Sequence, residues 1–325
     1  MTPAALQLAR VHGDDAAGPR GRARGRVTNV TLLLEDGVQG FVGTAADGTA
    51  ALCELCAGAR PPRVGVLTVR GREPSRDHAL RRSIGALLPL PALPPWGTVA
   101  EFSARLGCEV PWAALGLSGL VSRQLVRLNF SEARAVELAI ALHLPRPTLV
   151  VLFEPDVQTG PIDRGAVRRR VAALGEAGVL VIVASSDATA LRALTQHVFV
   201  LDQGRVVGDD ASVGWPGVSS PHLHIWLAGA NAQQRFTAAL EGAEAVLWDA
   251  AEGRLAVGGQ ELSQMARAVA RAVVVSGVEV RALRAEGVGH ADLIQRARRH
   301  QEAIMAEAPS GPLPLSSSTQ GRSDG

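Results

Sequence analysis

Two amino acids are missing from this sequence. All 33 basic side chains are arginine, so the chain has no lysine, and it has no tyrosine either. Without lysine the protein can form no Schiff base and can place no ammonium group against a bound phosphate. Without tyrosine it has no phenolic acid or base. These absences exclude lysine-dependent and phenol-dependent catalysis.

Long apolar runs and cysteines are also scarce. The longest apolar run, Val179 to Ala184, is far shorter than the roughly 20 residues that a membrane-spanning helix needs. The three cysteines, Cys53, Cys56 and Cys108, form an odd and sparse set that indicates a reducing compartment. Cys53 and Cys56 have the spacing of a redox or zinc pair, but no second pair accompanies them. We therefore predict core residues there and no metal site.

The charge is nearly balanced. The sequence has 33 basic and 31 acidic residues, which gives a formal net charge of +2. No charged tract is typical of nucleic-acid binding, so we expect no nucleic-acid partner. Arginines 20, 22, 24 and 26 alternate with small residues, and we interpret them as part of a solvated arm.

The order of predicted strands and helices indicates an α/β fold. Apolar, β-branched runs predict strands at Thr31–Leu34, Gln39–Val42, Val64–Val69, Leu149–Phe153, Val179–Ala184 and Val198–Leu201. Helical periodicity lies between several of them, at Thr49–Ala57, Ser131–Leu142 and Asp163–Leu174. This alternation predicts a mostly parallel sheet with helices on both faces.

Composition divides the rest of the chain. Residues 1–26, rich in Ala, Gly and Arg, predict a flexible lead-in before a domain at 27–208. Residues 209–221 predict a linker, and 308–325 a disordered tail. Between these two segments, 222–307 predicts a small α+β module, with strands at 222–227, 243–249, 254–257 and 278–284 and helices at 231–240, 263–276 and 290–305. His222 and His224 share a strand face in this module, and we interpret them as structural.

A glycine-bounded loop follows the second predicted strand. Gly43 and Gly48 have the spacing of a phosphate-binding loop, in which backbone amides and a helix N-terminus surround phosphate. The candidate binding residues are Gly43, Thr44, Ala45, Ala46, Asp47, Gly48, Thr49 and Ala50. Thr49 stands where such loops have the phosphate-binding lysine, and Ala50 where they have the magnesium-binding hydroxyl.

Further segments occur in the order found in one family. Leu128-Asn129-Phe130-Ser131-Glu132 precedes a helical pattern, Leu149–Phe153 leads into Glu154-Pro155, and Val179–Asp187 and Val198–Val206 follow. With the loop, this ordered set resembles the ATP-binding subunit of an ABC transporter over residues 27–207. The resemblance implies a P-loop NTPase-like sheet with a helical subdomain at about 92–142. The C-terminal module resembles the extension found in export-type subunits.

The chain departs from that family at most catalytic positions. Pro89 stands in place of the family's glutamine, and no glutamine occurs between Gly40 and Arg123. Phe130 and Ser131 replace signature glycines, Phe153 and Gly160 replace aspartates, and Ser186 replaces the switch histidine. Of the catalytic side chains that the resemblance implies, the chain keeps only Glu154, at the catalytic-base position. In an alternative interpretation, the carboxylate of Glu154 only accepts hydrogen bonds from neighbouring loop amides and has no catalytic role.

These losses predict weak nucleotide chemistry. A buried charge without its partner costs about 3–5 kcal/mol, which corresponds to affinity losses on the order of a hundred- to several-thousand-fold. We therefore expect no cofactor, at most weak ATP binding, no bound Mg²⁺, and little or no ATP hydrolysis.

The resemblance implies a degenerate structural or regulatory subunit at the inner face of the cell membrane. Its implied partners are a separate multi-span permease and either an intact ATP-binding subunit or a second copy of this chain. One alternative is an active transport ATPase that uses Glu154 as base and the Gly43–Ala50 amides as a phosphate cradle. Another is a soluble scaffold that works without a transporter. A hydrolase centred on Ser185 or Ser186 is disfavoured because flanking glycines are missing.

Overall fold

The computed structural model describes residues 4–14, 25–160, 162–192, 194–195, 197–209, 222–228, 231–240, 245–249, 254–258, 262–286, 293–294 and 297–298. The strands are β1 (Leu6–Asp14), β2 (Arg26–Leu34), β3 (Gly37–Val42), β4 (Val64–Val69), β5 (Ile84–Leu87), β6 (Leu149–Phe153), β7 (Leu180–Ser185), β8 (His197–Asp202), β9 (Arg205–Asp209), β10 (His222–Ala228), β11 (Ala245–Asp249), β12 (Arg254–Gly258) and β13 (Glu279–Glu286). The α-helices are α1 (Thr49–Cys56), α2 (His78–Arg82), α3 (Val99–Arg105), α4 (Phe130–Leu142), α5 (Arg164–Glu176), α6 (Ala188–Arg192), α7 (Ala232–Ala239) and α8 (Leu262–Ser276).

A six-stranded sheet with the order β5-β6-β7-β3-β8-β9 forms the centre of the larger domain. Its strands are parallel except β9, which pairs antiparallel with β8. β6 and β7 are nearly continuous apolar runs because both faces of the sheet are covered. This architecture confirms the predicted α/β fold with a mostly parallel sheet.

The two faces of this sheet carry different layers. On one face, Leu52 and Leu55 of α1 pack between the sheet and a three-stranded antiparallel sheet of order β2-β1-β4. On the other face, buried residues of α4 and α5 pack against Val150, Leu152 and Val181. The predicted strands at 31–34 and 64–69 thus belong to the second, antiparallel sheet.

The N-terminal segment corrects one expectation. Residues 1–26 were expected to be a flexible lead-in, but Leu6–Asp14 forms the central strand of the antiparallel sheet. Leu6, Leu8 and Val11 of this strand are buried. Arg10 has a φ of 52°, and the pairing register shifts between Leu8 and Val11. This irregularity breaks the two-residue alternation that would have indicated a strand.

The C-terminal module has its own core. Strands β10 to β13 form an antiparallel sheet of order β11-β12-β10-β13, and Phe236 of α7 and Met265 of α8 pack on it. These elements confirm six predicted in the sequence. The predicted helix at 290–305 lies largely outside the described residues, as do the linker from 210 onward and the tail.

Two further findings concern the whole described chain. Within the residues that the structure covers, no helix is both long enough and apolar enough to span a membrane. Cys53, Cys56 and Cys108 are free and buried, in agreement with their predicted place in the core. Burial raises the pKa of the Cys56 thiol to about 12.

Candidate functional site

The predicted site residues meet where the central strands end. The loop from Gly43 follows β3, Glu154 follows β6, and Ser185 and Ser186 end the strand β7 that lies between them. Gly43 N–H donates to Ser185 O (3.1 Å), and Glu154 N–H donates to Ala184 O (2.8 Å). The carboxyl edge of parallel strands is the usual place for a ligand site in α/β proteins.

The loop between β3 and α1 is a short 3-10 turn. Thr44 precedes the turn Ala45–Asp47, and Gly48 then takes the left-handed conformation, with a φ of 97°, before α1 begins at Thr49. A Cβ at position 48 would lie 2.2 Å from Arg26 O, so only glycine fits. The sequence thus sets the direction of α1 through one glycine.

The polar groups of this loop bond mainly to each other. Asp47 and Gly48 N–H groups donate to Thr44 O (3.0 Å) and Ala45 O (3.1 Å). The Asp47 carboxylate accepts from Thr44 N–H at 2.9 Å and from Thr44 Oγ1 at 2.6 Å. Buried Thr49 donates its hydroxyl to Thr44 O at 2.8 Å. The loop is therefore closed on itself.

Glu154 is held by the end of β7. Its Oε1 accepts from Ser186 N–H at 2.8 Å, and its Oε2 accepts from Ser185 Oγ at 3.1 Å. Its backbone has a φ of 47°, which is uncommon for a residue other than glycine. Both carboxylate oxygens thus have partners within the chain, and one of these partners is a loop amide.

The signature-like segment forms the first turn of α4. Asn129 caps this helix: Asn129 Oδ1 accepts from Glu132 N–H and Asn129 N–H donates to Glu132 Oε2, both at 2.9 Å. The contacts of Glu132 with Asn129 and Arg123 lower the pKa of its carboxyl group. Leu128 comes just before this cap. Ser131 lies near Gly160, since a Cβ built on that glycine would lie 3.4 Å from Ser131 O. Phe130 is 44% exposed.

Arg134 connects three of these regions. This arginine is only 3% exposed, and it donates to Leu88 O (2.8 Å), Phe153 O (2.7 Å) and Glu154 O (3.1 Å). Leu88 precedes Pro89, so α4 is tied to the segment after β5 as well as to the end of β6. Burial lowers the pKa of Arg134, while Glu137 and Glu154 oppose this shift. Sequence reasoning missed Arg134 because nothing in the α4 pattern marks it as buried.

A second buried charge lies one turn further along α4. Glu137 borders a cavity of about 250 Å³ between β5, α3 and α4, and its carboxylate accepts from Ala92 N–H. Its Oε2 is buried with no hydrogen-bond partner among the described residues. Burial raises the pKa of Glu137 to about 7, against the opposing effects of the Ala92 amide and Arg134. No pattern in the sequence indicates this cavity.

The sheet order, the glycine-bounded loop before α1 and the carboxylate after β6 define the class of this domain. It is a P-loop NTPase-like α/β domain with its candidate site at the carboxyl edge of β3, β6 and β7.

Comparisons with known proteins narrow this class. The Fe(3+) ions import ATP-binding protein FbpC of Streptomyces coelicolor is 29% identical over 250 residues, which cover 71% of this chain and 66% of that protein. A solved structure described as an ATP binding subunit of an ABC transporter matches 65% of this chain and 93% of its own, with a TM-score of 0.54 and 19% identity. A dimeric post-hydrolysis ATP-binding cassette bound to ADP and Pi matches with a TM-score of 0.48 and 17% identity, covering 63% of this chain and 97% of its own. No family model matches the chain.

The chain is similar to the ATP-binding subunits of ABC transporters. The aligned region spans just under two thirds of the curated relative, so cargo and direction of transport do not transfer from it. Export stays a prediction.

The expectation that the protein has no nucleotide cofactor is wrong. The curated relative is an ATP-binding protein, and the family uses ATP with Mg²⁺. Loss of these side chains does not by itself abolish binding, because backbone amides supply much of a phosphate loop. The closed loop nevertheless does not fit phosphate as it stands, because the Asp47 and Gly48 N–H groups bond to the loop itself.

Proposed function

We propose that this chain is the nucleotide-binding subunit of a membrane transport complex, and that it holds ATP but hydrolyses it far more slowly than an intact subunit. It acts as a structural or regulatory component on the cytoplasmic side of the membrane. One observation carries the proposal: both oxygens of Glu154 accept hydrogen bonds from the end of β7.

That geometry bears directly on hydrolysis. A general base must lie within hydrogen-bond reach of the water that it activates. Glu154 instead bonds to Ser185 and Ser186, and Ser186 stands where the family has its histidine. Losing one charge-stabilising donor typically costs about 10²–10³ in kcat. The replacement of the lysine position by Thr49 adds to this cost, because a threonine cannot stabilise charge on a transferring phosphate.

The neighbouring positions support the same proposal. Phe153 stands at the end of β6 where the family has an aspartate, and its carbonyl is occupied by Arg134 at 2.7 Å. Phe130 places a partly exposed phenyl ring in the signature-like turn, where the family has a glycine. A bulky side chain there obstructs close approach of a partner's nucleotide. These features favour a supporting role over ATP turnover.

ATP turnover by Glu154→Gln and by the natural protein tests the proposal. We expect both proteins to hydrolyse ATP at the same low rate, because Glu154 is not acting as the base. Glu176→Gln, at the end of α5, is the matched control for loss of a glutamate charge. If Glu154→Gln hydrolyses ATP at least about tenfold more slowly than the natural protein, and Glu176→Gln does not, the result would instead support an active transport ATPase.

The proposed partner is a separate permease with several membrane spans. The family likeness supports this partner, since the ATP-binding subunits of ABC transporters work with permeases. Purification of the tagged chain from detergent-solubilised membranes should yield a multi-span membrane protein in a fixed ratio to it. An intact ATP-binding subunit in the same complex would indicate a heterodimer, and a second copy of this chain a homodimer. Recovery of the chain without any membrane protein would favour the soluble scaffold.

A further inference from the structure

We infer that Thr44 and Asp47 form a latch that holds the phosphate loop closed and sets its affinity for nucleotide. The inference rests on the proposed function, since it takes the loop as the place where ATP binds. The latch comprises the two hydrogen bonds from Thr44 to the Asp47 carboxylate and the return bond from Asp47 N–H to Thr44 Oγ1 at 3.3 Å.

The latch occupies backbone donors of the loop. A phosphate-binding loop presents its N–H groups to the ligand. Here the latch closes a 3-10 turn, so the Asp47 and Gly48 N–H groups donate to carbonyl oxygens of the same loop. Phosphate can reach those two donors only after the turn has opened. Nucleotide binding and the latch are therefore mutually exclusive.

The latch also places a negative charge in the loop. The Asp47 carboxylate takes up a main-chain N–H and a hydroxyl of the loop, as an anionic ligand would. Charge-assisted hydrogen bonds of this kind are roughly twice as strong as neutral ones. An incoming phosphate must displace this carboxylate and also overcome its repulsion. Asp47 thus acts as an internal competitor of the nucleotide.

Two neighbouring segments hold the latch in place. Asp47 O accepts from Gly204 N–H at 2.9 Å, in the turn between β8 and β9. A Cβ built on Gly25 would lie 2.0 Å from Ala45 O, so the chain entering β2 packs against the loop. The closed turn is thus supported from two neighbouring segments. Opening the loop requires a local rearrangement of the main chain.

Binding of a fluorescent ATP analogue to the natural protein and to four variants tests the latch. Asp47→Asn removes the competing charge, and we expect about tenfold or more tighter binding. Thr44→Val keeps the charge and the shape but removes the hydroxyl, and we expect binding to tighten about two- to tenfold. Thr44→Ser restores the hydroxyl and should return the natural affinity. Glu101→Gln, in the similar capping box of Thr98 and Glu101 on α3, should change affinity less than twofold.

Binding measured at high salt distinguishes the latch from simple charge repulsion between Asp47 and the nucleotide. Repulsion between exposed charges is screened at about 1 M salt, where the Debye length is about 3 Å. The gain from Thr44→Val should persist under those conditions. The latch is overturned if Thr44→Val binds as the natural protein does and the gain of Asp47→Asn disappears in salt.

Hydrogen exchange provides a readout that needs no nucleotide. The amides of Asp47 and Gly48 should be protected in the natural protein and should exchange at least about tenfold faster in Asp47→Asn and Thr44→Val. Unchanged protection in both variants overturns the latch whatever the binding result. A third outcome is that the amides exchange faster in the variants but no variant binds nucleotide. The closed turn would then be established, but the competition between Asp47 and nucleotide and the proposed function would both be overturned.

Discussion

At the scale of the residue, the site depends on a few buried polar groups with unusual partners. Glu154, Arg134 and Glu137 each lie at or near the carboxyl edge of the sheet, and each is engaged by the main chain. Only Glu154 was predicted from the sequence, because its position after an apolar strand marks it. Arg134 and Glu137 lie on α4 among alanines and aliphatic residues, where the sequence alone does not show that a charge is buried.

Glu137 should make stability depend on pH. Its folded pKa of about 7 lies above the ordinary value of 4.5, so the proton is favoured in the folded state. The stabilisation is therefore complete below about pH 4.5 and is lost as pH rises to about 7. Glu137→Gln should remove this dependence and be more stable than the natural protein at pH 8, by about 2–3 kcal/mol.

Urea unfolding of both proteins at pH 5 and pH 8 measures this difference. Glu176→Gln, which removes an exposed carboxylate from the end of α5, should follow the natural protein at both pH values. A Glu137→Gln variant with the same pH dependence as the natural protein would mean that Glu137 is not the group responsible.

At the scale of the element, the loops and helix ends at the carboxyl edge are fastened to one another. α4 is joined to the end of β6 and to the segment after β5 through Arg134. The phosphate loop is joined to the β8–β9 turn through Asp47 and Gly204. Such connections favour a site with one arrangement, which suits a supporting subunit.

Arg134→Met should weaken the attachment of α4. The substitution leaves three carbonyl oxygens without their donor, and we expect a loss of about 2–4 kcal/mol in the free energy of unfolding. Arg170→Met is the matched control, because Arg170 makes one comparable contact, to Leu142 O at 2.9 Å. Arg170→Met should lower the free energy of unfolding by about 1 kcal/mol. Equal losses in both variants, measured by urea unfolding, would contradict the connecting role.

Four strands of the central sheet, β3, β6, β7 and β8, could be predicted from the sequence, whereas β5 and β1 could not. β6 and β7 are uninterrupted apolar runs buried on both faces, so composition alone indicates them. β1 contains the irregular turn at Arg10, which breaks the alternation. The inward direction of Asp47 could not be predicted, because it depends on the turn that Gly48 allows.

At the scale of the whole molecule, residues beyond the four-stranded C-terminal sheet pack into the core of the larger domain. Leu293 and Ala297, 0% and 1% exposed, belong to the core cluster that includes β6, β7 and α4. Arg298 Nε donates to Asp202 Oδ2 at 2.9 Å, at the end of β8. Residues beyond the four-stranded C-terminal sheet therefore contribute to the stability of the domain that carries the site.

Leu293→Ala should destabilise the larger domain, although it lies outside residues 27–208. A buried leucine cut back to alanine typically costs about 2–5 kcal/mol. The slowest-exchanging amides of β6 and β7 report this loss directly. Val274→Ala is the control, because Val274 on α8 is 81% exposed. It should change the protection of the β6 and β7 amides by no more than about 0.5 kcal/mol. Unaltered exchange in Leu293→Ala would show that the larger domain is stable without this contact.

The central claim, that this subunit holds ATP and hydrolyses it far more slowly than an intact subunit, is tested most directly by identifying the nucleotide that the protein retains. Purified protein is incubated briefly with ATP and Mg²⁺, separated from free nucleotide, denatured and analysed by chromatography. We predict that the retained nucleotide is ATP, in the same proportion for the natural protein and for Glu154→Gln. Retained ADP in the natural protein, with ATP in Glu154→Gln, would contradict the account.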